Sequence, residues 1–210
     1  MSEGTAMLFD FLPMKGGKLR TDYAKQHEDA IHYLDDVVEP LLRPMRCRKV
    51  FFADHGNLIL NQDAKLSDVK DPEYTCSSGW TRIPLAVCSP EMGVGIDDRL
   101  ISLMELNNIV ISLLEENTYT APDAEYIKLA RSELYNPDFR YLYNMVGKAP
   151  YLQAFECFVF ENNRKVIVFA DGSIEVYDIA DCPVPDADGR KLLEGVKEEI
   201  TVCDFRSRHI

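Results

Sequence analysis

The chain has 210 residues, 46% of them hydrophobic, enough for one domain with a real core or for a large domain with a small appendage. Its 23 basic and 35 acidic residues give a formal net charge of −12 and a pI near 4.8. That balance argues against nucleic acid or anionic membrane as a main partner, because phosphate surfaces demand Lys and Arg.

The chain-order reading starts with a short buried strand over Ala6 to Leu12, ended by Pro13 and the Gly16-Gly17 loop. Thr21 to Leu42 reads as a helix, since Tyr23, Ala30, Tyr33, Leu34, Val37, Val38 and Leu41 follow helical spacing and Pro44 helps to end it. Lys49 to Ala53 is continuously apolar, as a buried parallel strand should be. A long polar connection from Asn57 to Trp80 leads to another short strand, Ile83 to Cys88, closed by Ser89-Pro90. Asp97 to Glu116 carries a broad apolar helical face, with Asp97-Asp98 suiting its positive end. This strand and helix order predicts an α/β domain with a mostly parallel sheet.

Near Ala121 the pattern changes. Asp123 to Leu134 reads as a further helix. Phe139 to Val146, Ala154 to Phe160, Lys165 to Ala170 and Ser173 to Ile179 read as an antiparallel meander, with Asp171-Gly172 a strong hairpin signal. Asp188 to Glu199 reads as a C-terminal helix. The expected division is therefore 1–120 for a partial α/β core and 121–210 for a helix plus β-meander subdomain. None of the six cysteines lies in a C-x-x-C pair, no basic and apolar leader is present, and no apolar run approaches ~18 residues. Reduced cysteines and a cytoplasmic location are the expectation.

The motif that carries chemistry is Phe51-Phe52-Ala53-Asp54-His55-Gly56, an apolar strand running into an acid, an imidazole and a glycine. Carboxylate oxygen and imidazole nitrogen are ligands for zinc or manganese, and strand ends are where open α/β sheets place their sites. Adjacent strand residues point to opposite faces, so both can reach one metal only if the chain turns, which Gly56 permits. An ordinary strand-end turn accounts for the same residues. His32 and Asp36 stand at i and i+4, with Asp35 adjacent, and a solvated helix face explains them equally well. Asp10 ends the first expected strand. Cys76, in a polar loop beside Ser77-Ser78-Gly79, is not a nucleophile elbow, and Cys88 and Cys157 fit core positions.

Lys49-Val50-Phe51-Phe52-Ala53-Asp54-His55-Gly56 resembles the strand and metal motif of the alkaline phosphatase and sulfatase superfamily. Gly79-Trp80-Thr81-Arg82-Ile83-Pro84-Leu85 resembles that family's Arg-x-Pro stretch, and Asp98 to Leu106 resembles the segment that enters its next helix. His27 to Leu42 resembles the helix before the metal strand, and the meander around Asp171-Gly172 resembles the family's short C-terminal sheet. The resemblance implies an alkaline-phosphatase-like, mostly parallel sheet flanked by helices, truncated at its N-terminus, with a small antiparallel C-terminal sheet. It also implies that Asp54 and His55 ligate a divalent metal (zinc, manganese or calcium) acting on a small-molecule sulfate or phosphate ester. The family's nucleophile and early carboxylates have no counterpart here: no C-x-P-x-R occurs. The expectation is a sulfatase-like hydrolase that is incomplete as a single chain. Its missing half would be covered by a partner chain or by another copy. The alternative is a non-catalytic remnant that acts by binding or assembly.

Overall fold

The computed structural model describes residues 23–56 and 71–203. Helix α1 spans Tyr23–Leu42. Lys25 tethers its first turns through Glu28 at 2.9 Å and Asp29 at 3.1 Å, the i+3 and i+4 neighbours on one face. Pro40 withholds a donor from the last turn, and the helix ends two residues later. Strands β1, Lys49–Phe52, and β2, Leu85–Cys88, form a two-stranded antiparallel ribbon with Val50 opposite Val87 and Phe51 opposite Ala86. A one-turn helix, α2, Ser78–Thr81, lies between them in sequence. The third helix, α3, is Leu106–Glu115.

The main layer is a four-stranded antiparallel sheet in the order β3 (Tyr126–Arg131), β4 (Phe155–Phe160), β5 (Arg164–Phe169) and β6 (Ile174–Asp178). Helix α4, Pro137–Met145, sits in the connection between β3 and β4, and α5, Asp186–Val196, follows β6. Strand alternation divides the core in two. On one face Phe155, Cys157, Ile167, Phe169 and Tyr177 pack with Tyr74, Cys76 and Tyr151. On the other, Phe158, Val166, Val168 and Val176 pack with Leu193 and Val196 of α5 and with Ile200. Gly189 lets α5 come this close, since a Cβ there would lie 2.2 Å from Val176 Cγ2.

The expected alkaline-phosphatase-like parallel sheet is overturned. Every strand pair among the described residues is antiparallel, in sheets of two and four strands. The apolar run of β1 was read as a buried parallel strand, but Phe51 and Phe52 are 40% and 47% exposed. A short apolar run carries no information on strand direction, and here it forms one side of an exposed antiparallel ribbon. The expected helix over Asp123 to Leu134 is strand β3, and the expected strand over Phe139 to Val146 is α4. Cys88, expected in the core, is exposed. The helix expected from Asp97 begins only at Leu106, after a 3-10 turn over Leu103–Glu105. Arg99 holds Asp97 through Nε at 2.9 Å and Nη2 at 2.6 Å and also donates to the Ala121 carbonyl, fixing 97–99 outside the helix. The strand expected over Ala6 to Leu12, with Asp10, lies outside the described residues. Among the described residues no helix is long and apolar enough to cross a membrane.

Candidate functional site

The 54–56 turn docks on α2. Gly56 N–H donates to the Trp80 carbonyl at 2.8 Å, and a Cβ on Gly56 would lie 1.8 Å from the Gly79 carbonyl oxygen. Only glycine fits that backbone approach. The turn brings two segments singled out in the sequence into contact, and the His55 ring lies 6.2 Å from that of Trp80. Asp54 Oδ1 accepts from the His55 backbone N–H at 2.9 Å. His55 Nδ1 lies 2.6 Å from the Gly56 carbonyl oxygen, a contact that requires a hydrogen on Nδ1. The neutral ring therefore carries its lone pair on Nε2, which lies 3.6 Å from Asp54 Oδ2.

These atoms fit two ligand positions of a metal centre. Two donors on one tetrahedral zinc at ~2.1 Å stand roughly 3.4 Å apart, and a backbone carbonyl on the opposite ring nitrogen is the usual orienting partner of a metal-binding histidine. A catalytic zinc takes three protein ligands. Among the described residues no group of three or more His, Cys, Asp or Glu is placed to hold an ion. His32, Asp35 and Asp36 are exposed on α1, matching the solvated-face reading. The Asp54 side chain is 84% exposed, so the pair sits on an open turn and not in a cleft.

A second cluster lies beneath α2 and was not foreseen. Lys165 on β5 is 1% exposed. Its ammonium donates to the Cys76 carbonyl and to Ser78 Oγ, each at 3.1 Å, and pairs with Asp181. The Asp181 carboxylate also accepts the Ser78 backbone N–H at 3.0 Å, and Asp181 itself adopts a left-handed φ of +64°. All three ammonium hydrogens have acceptors, as a buried charge requires. Ser78 Oγ spends its proton on the Ile179 carbonyl at 2.6 Å. The Lys165 and Ser78 pair is therefore a tether and not an activated nucleophile with its base. Alternation along β5 carried a signal for it, because Lys165 shares a face with Ile167 and Phe169.

Arg131 supplies the second tether. Its guanidinium donates to the Tyr74 carbonyl at 2.9 Å, to the Gln153 carbonyl at 3.3 Å and to the Tyr151 carbonyl, and it stacks 4.5 Å over the Phe155 ring. Cys76 and Cys157 of β4 are buried in the same core cluster. The hydrogen bond from Cys157 pulls the Cys76 thiol below its ordinary range against the opposing effect of burial, and the Lys165 ammonium adds to the fall. The same interaction, with burial, pushes Cys157 well up.

A cleft of about 210 Å³ is lined by Leu100, Ile101, Glu105, Tyr126 and Lys128 among others. It falls below the ~300 Å³ of ordinary small-molecule pockets, and none of its lining residues belongs to the 54–56 turn. Comparison with known proteins finds no matching family model, no matching curated protein and no matching solved structure.

Proposed function

We propose that this chain is a binding and assembly protein whose β1–β2 ribbon is completed by a second copy of itself. One observation carries the reading: the ribbon displays large apolar side chains on both faces. Phe51 and Phe52 are adjacent strand residues, so they point to opposite sides, and both are exposed. A two-stranded ribbon is marginal in water without a layer against it. Exposed phenylalanine on both faces adds an apolar surface that association would cover. Ile31, Leu34 and Leu41 of α1 are also exposed, at spacings of three and seven residues. A second copy is the occupant in this reading because a two-fold pairing of ribbons joins two strands into four with one self-complementary contact.

Sedimentation equilibrium is the test. The wild-type chain should exceed its 23.9 kDa monomer mass at micromolar concentration. Phe51→Ser with Phe52→Ser should return it to monomer with an unchanged circular dichroism spectrum. With a formal charge of −12 on each copy, added salt should strengthen association by screening repulsion. A wild-type chain that stays monomeric at ~100 µM in high salt overturns the reading.

A second reading, metal-dependent hydrolysis of a sulfate or phosphate ester, is favoured by the spacing of His55 Nε2 and Asp54 Oδ2 and by the proton on Nδ1. Asp54 and His55 would hold zinc, manganese or calcium there, and the metal would polarise an ester oxygen. Calorimetric titration of each ion into chelator-stripped protein tests it. Saturable binding lost in Asp54→Asn and in His55→Ala supports this reading, and no binding to folded protein removes it.

A further inference from the structure

We infer that the outer edge of β3 is a docking site for an extended, basic peptide segment of another protein, which adds to the four-stranded sheet as a fifth strand. The strand order leaves β3 and β6 at the two edges. The chain covers the β6 edge itself, where Tyr177 bridges to Pro183 and the Val184 N–H donates to the Val176 carbonyl at 3.0 Å. The β3 edge is different. Tyr126 lies opposite Phe160 in continuous register, and the Glu161 N–H donates to the Glu125 carbonyl at 3.0 Å. Antiparallel pairs alternate between bonded and non-bonded, so 127, 129 and 131 exchange hydrogen bonds with β4. The backbone N–H and C=O groups of Tyr126, Lys128 and Ala130 therefore point away from the sheet. Among the described residues no backbone group of another element pairs with them. An edge with such groups bare is a template for one more strand. Proline or an outward charge would blunt it, but β3 has no proline, and Glu156 at 2.8 Å draws the Lys128 ammonium onto the sheet.

The cleft of about 210 Å³ lies along this edge. Three successive β3 residues, Tyr126, Ile127 and Lys128, line it, so it spans the strand and not one face of the sheet. Leu100, Ile101 and Pro122 make its opposite wall apolar, which suits an aliphatic side chain of an incoming strand. Charge selects the occupant. Glu105 lines the cleft, Asp123 has a side chain 94% exposed, and Glu125 is exposed directly before β3. Both nearby cations are already paired, Arg99 with Asp97 at 2.6 Å and Lys128 with Glu156. A second copy of this chain would bring the same acids and a formal charge of −12 to the edge. A segment alternating aliphatic and basic residues supplies what the cleft lacks. Its backbone would pair with Tyr126, Lys128 and Ala130, and its Lys or Arg side chains would meet the acids. This surface belongs to a different sheet from the β1–β2 ribbon, so the two associations are independent.

The test uses the full chain and one synthetic probe, acetyl-Lys-Val-Lys-Val-Lys-Val-amide. Amide hydrogen exchange of isotope-labelled protein is followed by nuclear magnetic resonance with and without the peptide. The amides of Tyr126, Lys128 and Ala130 should exchange fast in the free chain and slow by about tenfold or more with peptide bound. Those of Ile127, Leu129 and Arg131 should be protected in both. Titration of fluorescently labelled peptide then measures affinity. Ala130→Pro removes an outward donor and leaves the β4 ladder whole, and it should weaken binding about tenfold. Glu105→Gln and added salt should each weaken it further. The same peptide with Glu in place of Lys should not bind. Protection of the three outward amides in the free chain overturns the proposal, because the chain then covers this edge itself. Equal affinity of wild type and Ala130→Pro overturns it as well, since charge alone would then hold the peptide. So does the absence of binding at ~1 mM peptide.

Discussion

Lys165 and Asp181 form a buried ion pair that fastens one part of the chain to another. The lysine comes from the start of β5, the aspartate from the turn after β6, and the Cys76 carbonyl and Ser78 between them belong to a segment nearly a hundred residues earlier. The pair leaves one polar connection seated on an apolar sheet face.

Replacing Lys165 by Met should destabilise the fold by about 3–5 kcal/mol, because the Asp181 carboxylate then stays largely buried without its counter-charge. Adding Asp181→Asn should recover part of the loss, since the amide oxygen still accepts the Ser78 N–H. Urea unfolding of the single and double variants measures both. Equal stability of Lys165→Met and the wild type would show that the pair contributes nothing.

Glu156 predicts an acid limb. Burial raises its carboxyl, but Lys128 at 2.8 Å, Thr201 Oγ1 at 2.6 Å and the backbone N–H groups of Thr201 and Val202 outweigh burial and hold it below its usual range. A depressed folded value means that its stabilisation is complete above the unfolded value of about 4.3 and is lost as pH falls below that. Glu156→Gln should cost about 1–3 kcal/mol at neutral pH and flatten the fall in Tm between about pH 5 and pH 3. An unchanged slope would place the acid sensitivity elsewhere.

Gly189→Ala should be costly although alanine is the better helix former. The new methyl meets Val176, whose branched side chain has little freedom to turn aside. Overpacking of this kind costs about 1–3 kcal/mol, against a gain of roughly 1 kcal/mol in helix propensity. A net fall in Tm is expected, and Gly189→Ala with Val176→Ala should restore much of it.

Gly56→Ala should detach the 54–56 turn from α2 and leave the four-stranded sheet intact. Trp80 is the chain's only tryptophan and it lies under that turn, so its emission should shift to the red while far-ultraviolet circular dichroism holds. Unshifted emission would mean that the turn tolerates the methyl group.

The sequence was most legible where a local device sets the structure. Asp171-Gly172 marks a hairpin, and Gly172 takes a φ of +83° there. The helix to Leu42 and the strands around Phe158 and Ile167 follow from periodicity. Two elements were misread for opposite reasons. Pro137 at the first turn and Asn136, whose side chain accepts from the Asp138 N–H at 2.8 Å, announce α4, a local signal that the strand expected over Phe139 to Val146 leaves out. Tyr126–Arg131 has no such local device; it is a strand because β4 lies beside it, and pairing across thirty residues leaves little trace in a short window. At the site, Asp54 Oδ2 and His55 Nε2 lie 3.6 Å apart on an open turn. The cluster of Lys165, Asp181, Cys76 and Cys157 is assembled wholly by tertiary contact, and only the inward position of Lys165 hinted at it.

The strand order β3-β4-β5-β6 sets an order in time. Each strand pairs with its neighbour in sequence; β4, β5 and β6 are joined by tight turns, while β3 reaches β4 across the connection that holds α4. The 71–81 segment cannot seat until that sheet exists, and its last anchor, Asp181, leaves the ribosome about a hundred residues after Cys76, which is roughly 5–20 s of synthesis. Throughout that interval Phe51 and Phe52 are already made, and no finished sheet yet holds the segment that seats the 54–56 turn. The nascent chain is therefore most exposed to chaperones, and to aggregation with its sister chains, while its second half is still being translated.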